Sequence, residues 1–471
     1  MGWHEVVGAV FVVSAVVMAI AIVQQRRSPA ATIAWLLVLV MIPVGGWLIY
    51  RFIGPLRLDR KKLRRRVNRL MLDEALGGLT AIEAASPAHR EQLGKLAIAA
   101  GEAPPLRGVA VELFTEGEAT YAAIAAAIDA AKHHVHLEYY IWAKDRLGTR
   151  LRDQLIARAR AGLEVRVLID GTGSSSARSS FWKPLVTVGG KVAIFNRVSV
   201  LSWRRKRVDF RLHRKTVVCD GLVGFTGGIN VTEAVTREFT GDAAWRDTHA
   251  RLEGPAVLAL QRIFAEDWLY ASGEELVYEL GGSYFPVQPG PGLEVVQVVA
   301  SGPDLDTFAI HKMYFAAINQ AATRVWLTTP YFVPDEPIQA ALVCAAMRGV
   351  DVRVIVPAKG DSRLVDLAAR SYFPELLASG AHVYEYQPRF VHAKTIVIDD
   401  DIAIVATANM DSRSFRLDFE VATVIYGKTI AARLETIFRS DLEHCVELAP
   451  RVLKFWALFV QSVARLMSPL L

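Results

Sequence analysis

Two long apolar runs open the chain. Val6 to Val23 carries no charged side chain, and Ala31 to Tyr50 forms a second run of comparable length. About 20 predominantly apolar residues suffice for a helix to cross the hydrocarbon core of a bilayer. Between the runs lies a short polar loop, Gln24 to Pro29. Trp35, Trp47 and Tyr50 sit toward the ends of the second run, where aromatic rings favour the membrane interface. Pro43, Gly45 and Gly46 are tolerated in a membrane helix. The pattern predicts an N-terminal two-helix transmembrane hairpin. A cleaved signal peptide is the competing reading, but no positive charge precedes the first run, and Arg26 and Arg27 follow it.

From Leu70 to Arg107 the chain is Ala-rich and polar, which reads as a helical connector without chemistry. Beyond it, helical and strand periodicities alternate. Helices are predicted over Gly117 to Lys132 and Leu147 to Ala161. Strands are predicted over Val135 to Trp142, Glu164 to Asp170, Lys191 to Phe195, Thr216 to Cys219 and Val223 to Thr226. The same plan then recurs. Phe308 to Ala322 and Ile338 to Met347 read as helices, and Arg324 to Phe332 and Asp351 to Val356 as strands. Gly162 to Ile169 and Gly349 to Val356 match closely, and Gly281 to Gly292 has the composition of a linker.

An internal duplication accounts for this layout. The expected fold class is α/β, with two tandem halves built on mixed sheets that meet across a pseudo-twofold axis, where one pocket forms. The corresponding divisions are 1–69 for the hairpin and its basic flank, 70–108 for the connector, 109–283 and 284–447 for the halves, and 448–471 for a C-terminal amphipathic helix. That last segment mixes Phe455, Trp456, Leu458, Phe459 and Val463 with few charges. It suits an interfacial membrane helix, or a helix packed on the second half.

Composition agrees with a membrane-attached chain. Apolar residues make up 52% of the 471, more than a soluble enzyme needs, and the excess sits at the N-terminus. The formal charge of +6 is unevenly spread. The loop between the runs has Arg26 and Arg27, whereas Arg57, Arg60, Lys61, Lys62, Arg64, Arg65, Arg66 and Arg69 follow the second run. Positive charge stays inside, so both termini and the bulk of the protein are expected on the cytoplasmic side of the membrane. The same basic run can lie on anionic headgroups. Cys219, Cys344 and Cys445 are widely spaced and form no C-x-x-C, which reads as buried free thiols.

The chemistry-bearing pattern is H-x-K-x-x-x-x-D, and it occurs twice. His213, Lys215 and Asp220 form one copy; His392, Lys394 and Asp399 form the other. The apolar run after each lysine reads as a strand, on which residues two apart share a face. An imidazole and an ammonium side by side can attack a phosphorus and hold its oxygens. One copy alone is weak evidence. Two copies, followed by small-residue turns that end at Asn230 and Asn409, are not. His133, His134 and His136 suggest a metal cluster but lack a partner at ligand spacing, so no metal is expected. Trp203 to Arg207 is a basic loop that either guides anionic headgroups or is a solvated charge run.

The paired motifs, with Trp245-Arg-Asp247, Thr329 to Glu336, Asn409 to Arg416 and Ser468 to Leu471, resemble the phospholipase D superfamily. Arg27 to Pro29, Trp35-Leu-Leu and Pro43-Val-Gly-Gly narrow the resemblance to bacterial cardiolipin synthases. Many relatives carry Gly-Ser-x-Asn after each motif. This chain has Gly227-Gly-Ile-Asn230 and Ala406-Thr-Ala-Asn409, so Gly228 lacks a hydroxyl that Thr407 keeps.

The resemblance implies that His213 attacks phosphorus and that His392 protonates the departing alcohol, with the reversed assignment left open. Lys215, Lys394, Asn230 and Asn409 would stabilise the phosphoryl oxygens. Glu420 fits the family's place for the carboxylate that orients an imidazole, and Asp247 is preferred to Glu238 as its counterpart. Asp220 and Asp399 belong to the catalytic motif and are expected to hold its loops.

The implied reaction is phosphatidyl transfer between two phosphatidylglycerol molecules at the bilayer, without a cofactor, giving cardiolipin and glycerol. A hydrolytic phospholipase D, or transfer to another alcohol, would use the same residues. A nuclease is disfavoured by the hairpin and by the lack of nucleic-acid-binding modules, and a dead scaffold by the intact motifs. Oligomeric state is not legible.

Overall fold

A computed structural model describes residues 2–24, 29–42, 45–47, 49–50, 90–196, 209–276, 282–286, 290–305, 307–387, 389–451 and 454–468. The basic flank at 57–69, most of the connector and the loop Trp203 to Arg207 lie outside them. The chain divides into two compact units, Met1–Lys61 with Val198–Phe210, and Lys62–Arg197 with Arg211–Leu471.

In the first unit, helices Trp3–Gln24 and Pro29–Met41 form from the apolar runs. Ile22, Leu39 and Tyr50 make a small core, with Trp35 edge-on to Tyr50 at 5.2 Å between centroids. Side chains of the first helix are described from Val13 onward. Among the described residues, no helix is long and apolar enough to cross a membrane.

The second unit is built on a 16-stranded sheet. Leu106–Phe114 and Glu294–Ser301 pair antiparallel at its centre. Outward from Leu106–Phe114 the order is His249–Glu253, Val223–Gly227, Lys215–Cys219, His134–Tyr139, Glu164–Asp170 and Lys191–Phe195. Outward from Glu294–Ser301 it is Asp418–Tyr426, Ile402–Ala406, Thr395–Ile398, Arg324–Thr328, Asp351–Pro357 and His382–Tyr386, with Cys445–Glu447 added at the edge. Strand for strand, the two series correspond. The duplication read from Gly162 to Ile169 and Gly349 to Val356 therefore extends over seven strands per half, and the halves share one sheet.

Each half mixes parallel and antiparallel pairs. Val135 pairs with Val165, and Val325 with Val352, in parallel ladders joined by helical crossovers. These strands are covered on both faces, so His134, His136, Glu138 and Arg166 are buried along with the apolar residues between them. The crossover helices Arg146–Arg160 and Glu336–Met347 start at aspartates. The carboxylates of Asp145 and Asp335 accept hydrogen bonds from the amides of Gly148 and Ile338, satisfying donors that a helix N-terminus leaves free. A core cluster of Val109, Leu252 and Leu260 from the first half with Val298, Val405 and Leu434 from the second ties the halves together. Gly108 (φ 79°) lies against Gly290, where a Cβ would stand 3.0 Å from the Gly290 Cα, so the linker and the central strand touch backbone to backbone.

Asp220 and Asp399 occupy left-handed turns at φ 56° and 51°. The Asp220 carboxylate accepts from the amides of Lys132, His133 and His134 at 2.7–2.8 Å. Asp399 accepts from Thr323 N at 2.7 Å, from Ala322 N and Arg324 N at 3.1 Å, and from Arg90 Nη2 at 2.6 Å. Asp220 is separated from Lys215 by a strand about 16 Å long. These two carboxylates therefore bind the turn to the start of the neighbouring strand, away from the imidazoles with which the motif groups them. The thiol reading also changes. Cys219 is buried, but Cys344 is exposed and Cys445 half-buried.

Candidate active site

The backbone around each motif histidine pairs with the opposite half. Arg211 and Leu212 run parallel to Asp418 and Phe419, and His213 N donates to Phe419 O at 2.9 Å. The second motif repeats this: Val391 bridges Arg246 in parallel, and His392 N donates to Arg246 O at 2.7 Å. His213 itself stands just before the strand Lys215–Cys219. Each histidine is thus held beside the residue two or fewer positions from a carboxylate of the other half.

That register crosses the dyads. His213 Nδ1 lies 2.8 Å from Glu420 Oε1, and His392 Nδ1 lies 2.7 Å from Asp247 Oδ2. Glu238 is at the surface in an ion pair with Arg150. Burial pushes both dyad carboxyls up, yet the neighbouring cationic groups outweigh it. His213 and Lys215 hold Glu420 below its ordinary value, and Lys394 and His392 do the same for Asp247. An ionised carboxylate at Nδ1 fixes the imidazole proton there and leaves Nε2 as the free base.

The cations are buried as well. Burial lowers His213 and His392 to about 4, opposed by their carboxylates. Burial also lowers Lys215 to about 8 and Lys394 to about 7. The Lys394 charge reaches His213, and the Lys215 charge reaches His392, so the two motifs share one electrostatic environment. Lys215 Nζ donates to His213 O and Lys394 Nζ to His392 O; Lys394 Nζ also lies 2.9 Å from His392 Nδ1. An anion entering here meets two ammonium groups already stripped of water. It would draw their protonation constants back up, because a nearby negative charge favours the charged base.

The flanking turns differ in chemistry. Thr407 Oγ1 donates to Glu420 Oε2 at 2.5 Å and accepts from Val421 N at 2.9 Å. The hydroxyl that Gly228 lacks is therefore spent on the dyad carboxylate in the second half, not held free for a phosphate. In the first half, a Cβ at Gly228 would overlap Asp247 Oδ1. Asp247 Oδ1 accepts instead from Thr248 N at 2.7 Å. Gly228→Ser is accordingly expected to push Asp247 off His392 and lower kcat about 10²-fold, the scale of an ångström misplacement. Steady-state kinetics beside a thermal melt would separate this from unfolding. Asn230 Oδ1 accepts from Ile141 N at 3.1 Å, whereas Asn409 Oδ1 is buried with no hydrogen-bond partner among the described residues.

Further residues support the site, and no sequence pattern assigns them that role. Tyr140 stands edge-on to His213 at 4.9 Å, and Trp245 lies 5.3 Å from the His392 ring. The fully buried Arg214 donates to Glu420 O at 3.0 Å and pairs with Asp267. Arg246 pairs with both Asp441 oxygens at 2.9 and 2.6 Å. Both arginines alternate with motif residues, but nothing in a single chain marks them as partners of Asp267 or Asp441.

Among the described residues, one group of donor atoms fits a single ion: those of His213, Asp418 and Glu420, all within 4.8 Å of one another. The fit is poor, since metal binding at Nδ1 would break the Glu420 bond and the Lys215 charge acts on Glu420. His134 and His136 turn to Gln261, at 3.4 and 3.2 Å, and burial lowers them to about 2 and about 3.

The chain matches a family described as cardiolipin synthase, PLD-like domain, over residues 124–268 and 314–442, and the family Phospholipase_D-nuclease N-terminal over 13–55. It is 37% identical to cardiolipin synthase 1 of Bacillus anthracis, over 99% of this chain and 94% of that protein. It is 38% identical to cardiolipin synthase of Alkalihalophilus pseudofirmus, over 98% and 93%. The crystal structure of phosphatidylserine synthase from Haemophilus influenzae Rd KW20 superposes with a TM-score of 0.62 at 16% identity, covering 81% of this chain and all of that one, which is a likeness of fold.

Proposed function

The chain belongs to the cardiolipin synthase family with phospholipase D-like domains, and from that premise we propose that it joins two phosphatidylglycerol molecules into cardiolipin, releasing glycerol. The observation that carries the reading is the pair of crossed His–carboxylate dyads, each with a buried lysine beside it.

His213 Nε2 attacks the phosphorus of one phosphatidylglycerol, and the bond from phosphorus to the glycerol oxygen breaks. A proton on His392 goes to that oxygen, and a phosphatidyl-histidine remains. The anionic phosphodiester itself favours that proton, because its charge offsets the burial that otherwise keeps His392 neutral. A hydroxyl of the second phosphatidylglycerol then gives its proton to His392 while its oxygen attacks phosphorus. The P–N bond breaks, and His213 returns unchanged. Lys215, Lys394 and the Asn409 carboxamide hold the phosphoryl oxygens as their charge shifts, with Asn230 fixing its own turn. One phosphodiester replaces another, so the chemistry calls for no cofactor. Water must be kept from the intermediate, since its attack would give phosphatidic acid.

The chain is read as a connector, two halves and a C-terminal helix, and the strand Leu106–Phe114 supports starting the first half at Leu106. The N-terminal runs are read as a hairpin in the bacterial inner membrane with the catalytic unit on the cytoplasmic side. The apolar lengths, the basic residues that follow the second run and the N-terminal family match at 13–55 support it. A reporter at Leu471 active only outside the inner membrane would overturn this.

Purified protein in mixed micelles with phosphatidylglycerol as the sole lipid tests the reaction. Cardiolipin with equimolar glycerol is the expected result. Phosphatidic acid alone points to a hydrolase, and DNA cleavage without lipid turnover to a nuclease.

The pH dependence follows from the lysines. Each is cationic below its own value and neutral above it, so kcat/KM, which reports free enzyme, should fall as pH rises through about 7 for Lys394 and about 8 for Lys215. In kcat the same limb should lie at higher pH, because bound phosphodiester stabilises both ammonium groups. Coincident limbs in the two profiles would contradict the assignment.

A further inference from the structure

The C-terminal helix Phe455–Leu466 is mounted with its apolar side outward. It rests on the helix Arg363–Arg370 and the turn after it through small and polar positions. Gln461, Ala464 and Ser468 are the buried ones, one helical face at i, i+3 and i+7. Tyr372 Oη donates to Ser468 Oγ at 2.9 Å, and the Arg465 guanidinium covers the Tyr372 ring at 4.3 Å. Phe455, Trp456, Phe459, Val463 and Leu466 form the opposite stripe, with Trp456 72% and Leu466 78% exposed. A helix folded only for the core would place these residues inward, so the arrangement calls for an external apolar phase.

We propose that this stripe lies in the interfacial layer of an anionic bilayer and seats the catalytic unit on the surface that holds its substrate. Charge selects the occupant. Positions 448 to 471 carry Arg451, Lys454 and Arg465 and no acidic residue, and all three basic side chains are exposed. A second copy docked face to face would bring like charges together, whereas anionic headgroups complement them. Aromatic rings at the helix start are suited to the headgroup boundary, where a ring can be half wet. The inference rests on the lipid-transfer reading for its biological sense, but its test does not require turnover.

The full chain, with Cys344→Ser and Cys445→Ser, receives a nitroxide at Val463→Cys and is reconstituted into vesicles of phosphatidylglycerol and phosphatidylethanolamine. Accessibility to oxygen should exceed accessibility to a water-soluble nickel chelate, placing the label below the headgroups. Equal or greater access to the chelate overturns the proposal. So does label-to-label coupling that grows with protein density, which marks a second copy as the occupant. In the unlabelled chain, Phe459→Glu with Val463→Glu should lower cardiolipin formation in vesicles about tenfold, the scale of losing two buried apolar anchors. Turnover in detergent-dispersed substrate should stay unchanged; equal losses in both media would assign the stripe a role in folding and overturn the proposal. An enzyme inactive on phosphatidylglycerol whose label still lies in the bilayer would sink the reaction and leave the docking intact.

Discussion

His392→Ala enzyme given a phosphatidyl ester of p-nitrophenol is expected to release one equivalent of nitrophenol and stall as a covalent adduct on His213. His213→Ala should release none. The argument rests on where a proton is needed. Nitrophenolate leaves without protonation, so the first step survives loss of the acid. The second step requires removal of a proton from the incoming hydroxyl, and His392 is the group assigned to take it. With phosphatidylglycerol itself, both variants should lose about 10⁴-fold or more in kcat, since residues that act as a unit fail together. Mass spectrometry of the intact His392→Ala protein would show the added phosphatidyl mass. An adduct found on His392 in the His213→Ala protein instead would reverse the two roles.

Glu420→Gln should cost about 10³- to 10⁴-fold in kcat with little change in KM, the scale seen when an orienting carboxylate becomes an amide. Glu420 Oε1 holds the His213 Nδ1 proton and Oε2 takes the Thr407 hydroxyl. An amide retains the shape but can present an N–H to Nδ1, turning the ring to the tautomer whose Nε2 carries the proton and cannot attack. It also removes the negative charge that stabilises the cationic phosphatidyl-imidazole. Thr407→Val should show a weaker version, about tenfold, from one lost hydrogen bond to a charged acceptor. A loss in KM alone, or a collapse of the thermal melt, would assign Glu420 to binding or folding.

How much of this was legible depended on local signals. Glu164–Asp170 and Lys191–Phe195 have the bounds that their sequence patterns predict. The strands Leu106–Phe114, His249–Glu253, Glu294–Ser301 and Asp418–Tyr426 escaped notice. They carry His249, Gln297, Asp418 and Glu420 at buried positions, where an apolar pattern would demand hydrocarbon. Those polar residues are tolerated because the strands line the site and the junction of the halves. The motif also grouped Asp220 and Asp399 with the imidazoles by spacing alone, although a strand carries them to its far end. Glu420 and Asp247 could be picked as orienting carboxylates, but not assigned to a histidine. The pairing is set by ladders such as Arg211 with Asp418, across about 200 residues of sequence separation, which no local pattern encodes.

The exchange of carboxylates between the halves has a consequence for inheritance. A duplicated gene usually frees one copy to drift while the other keeps the trade. Here a change near Gly228 would reach His392 through Asp247, and a change near Thr407 would reach His213 through Glu420. Each copy is guarded by a fault that would surface in its twin, so the two can specialise only in concert.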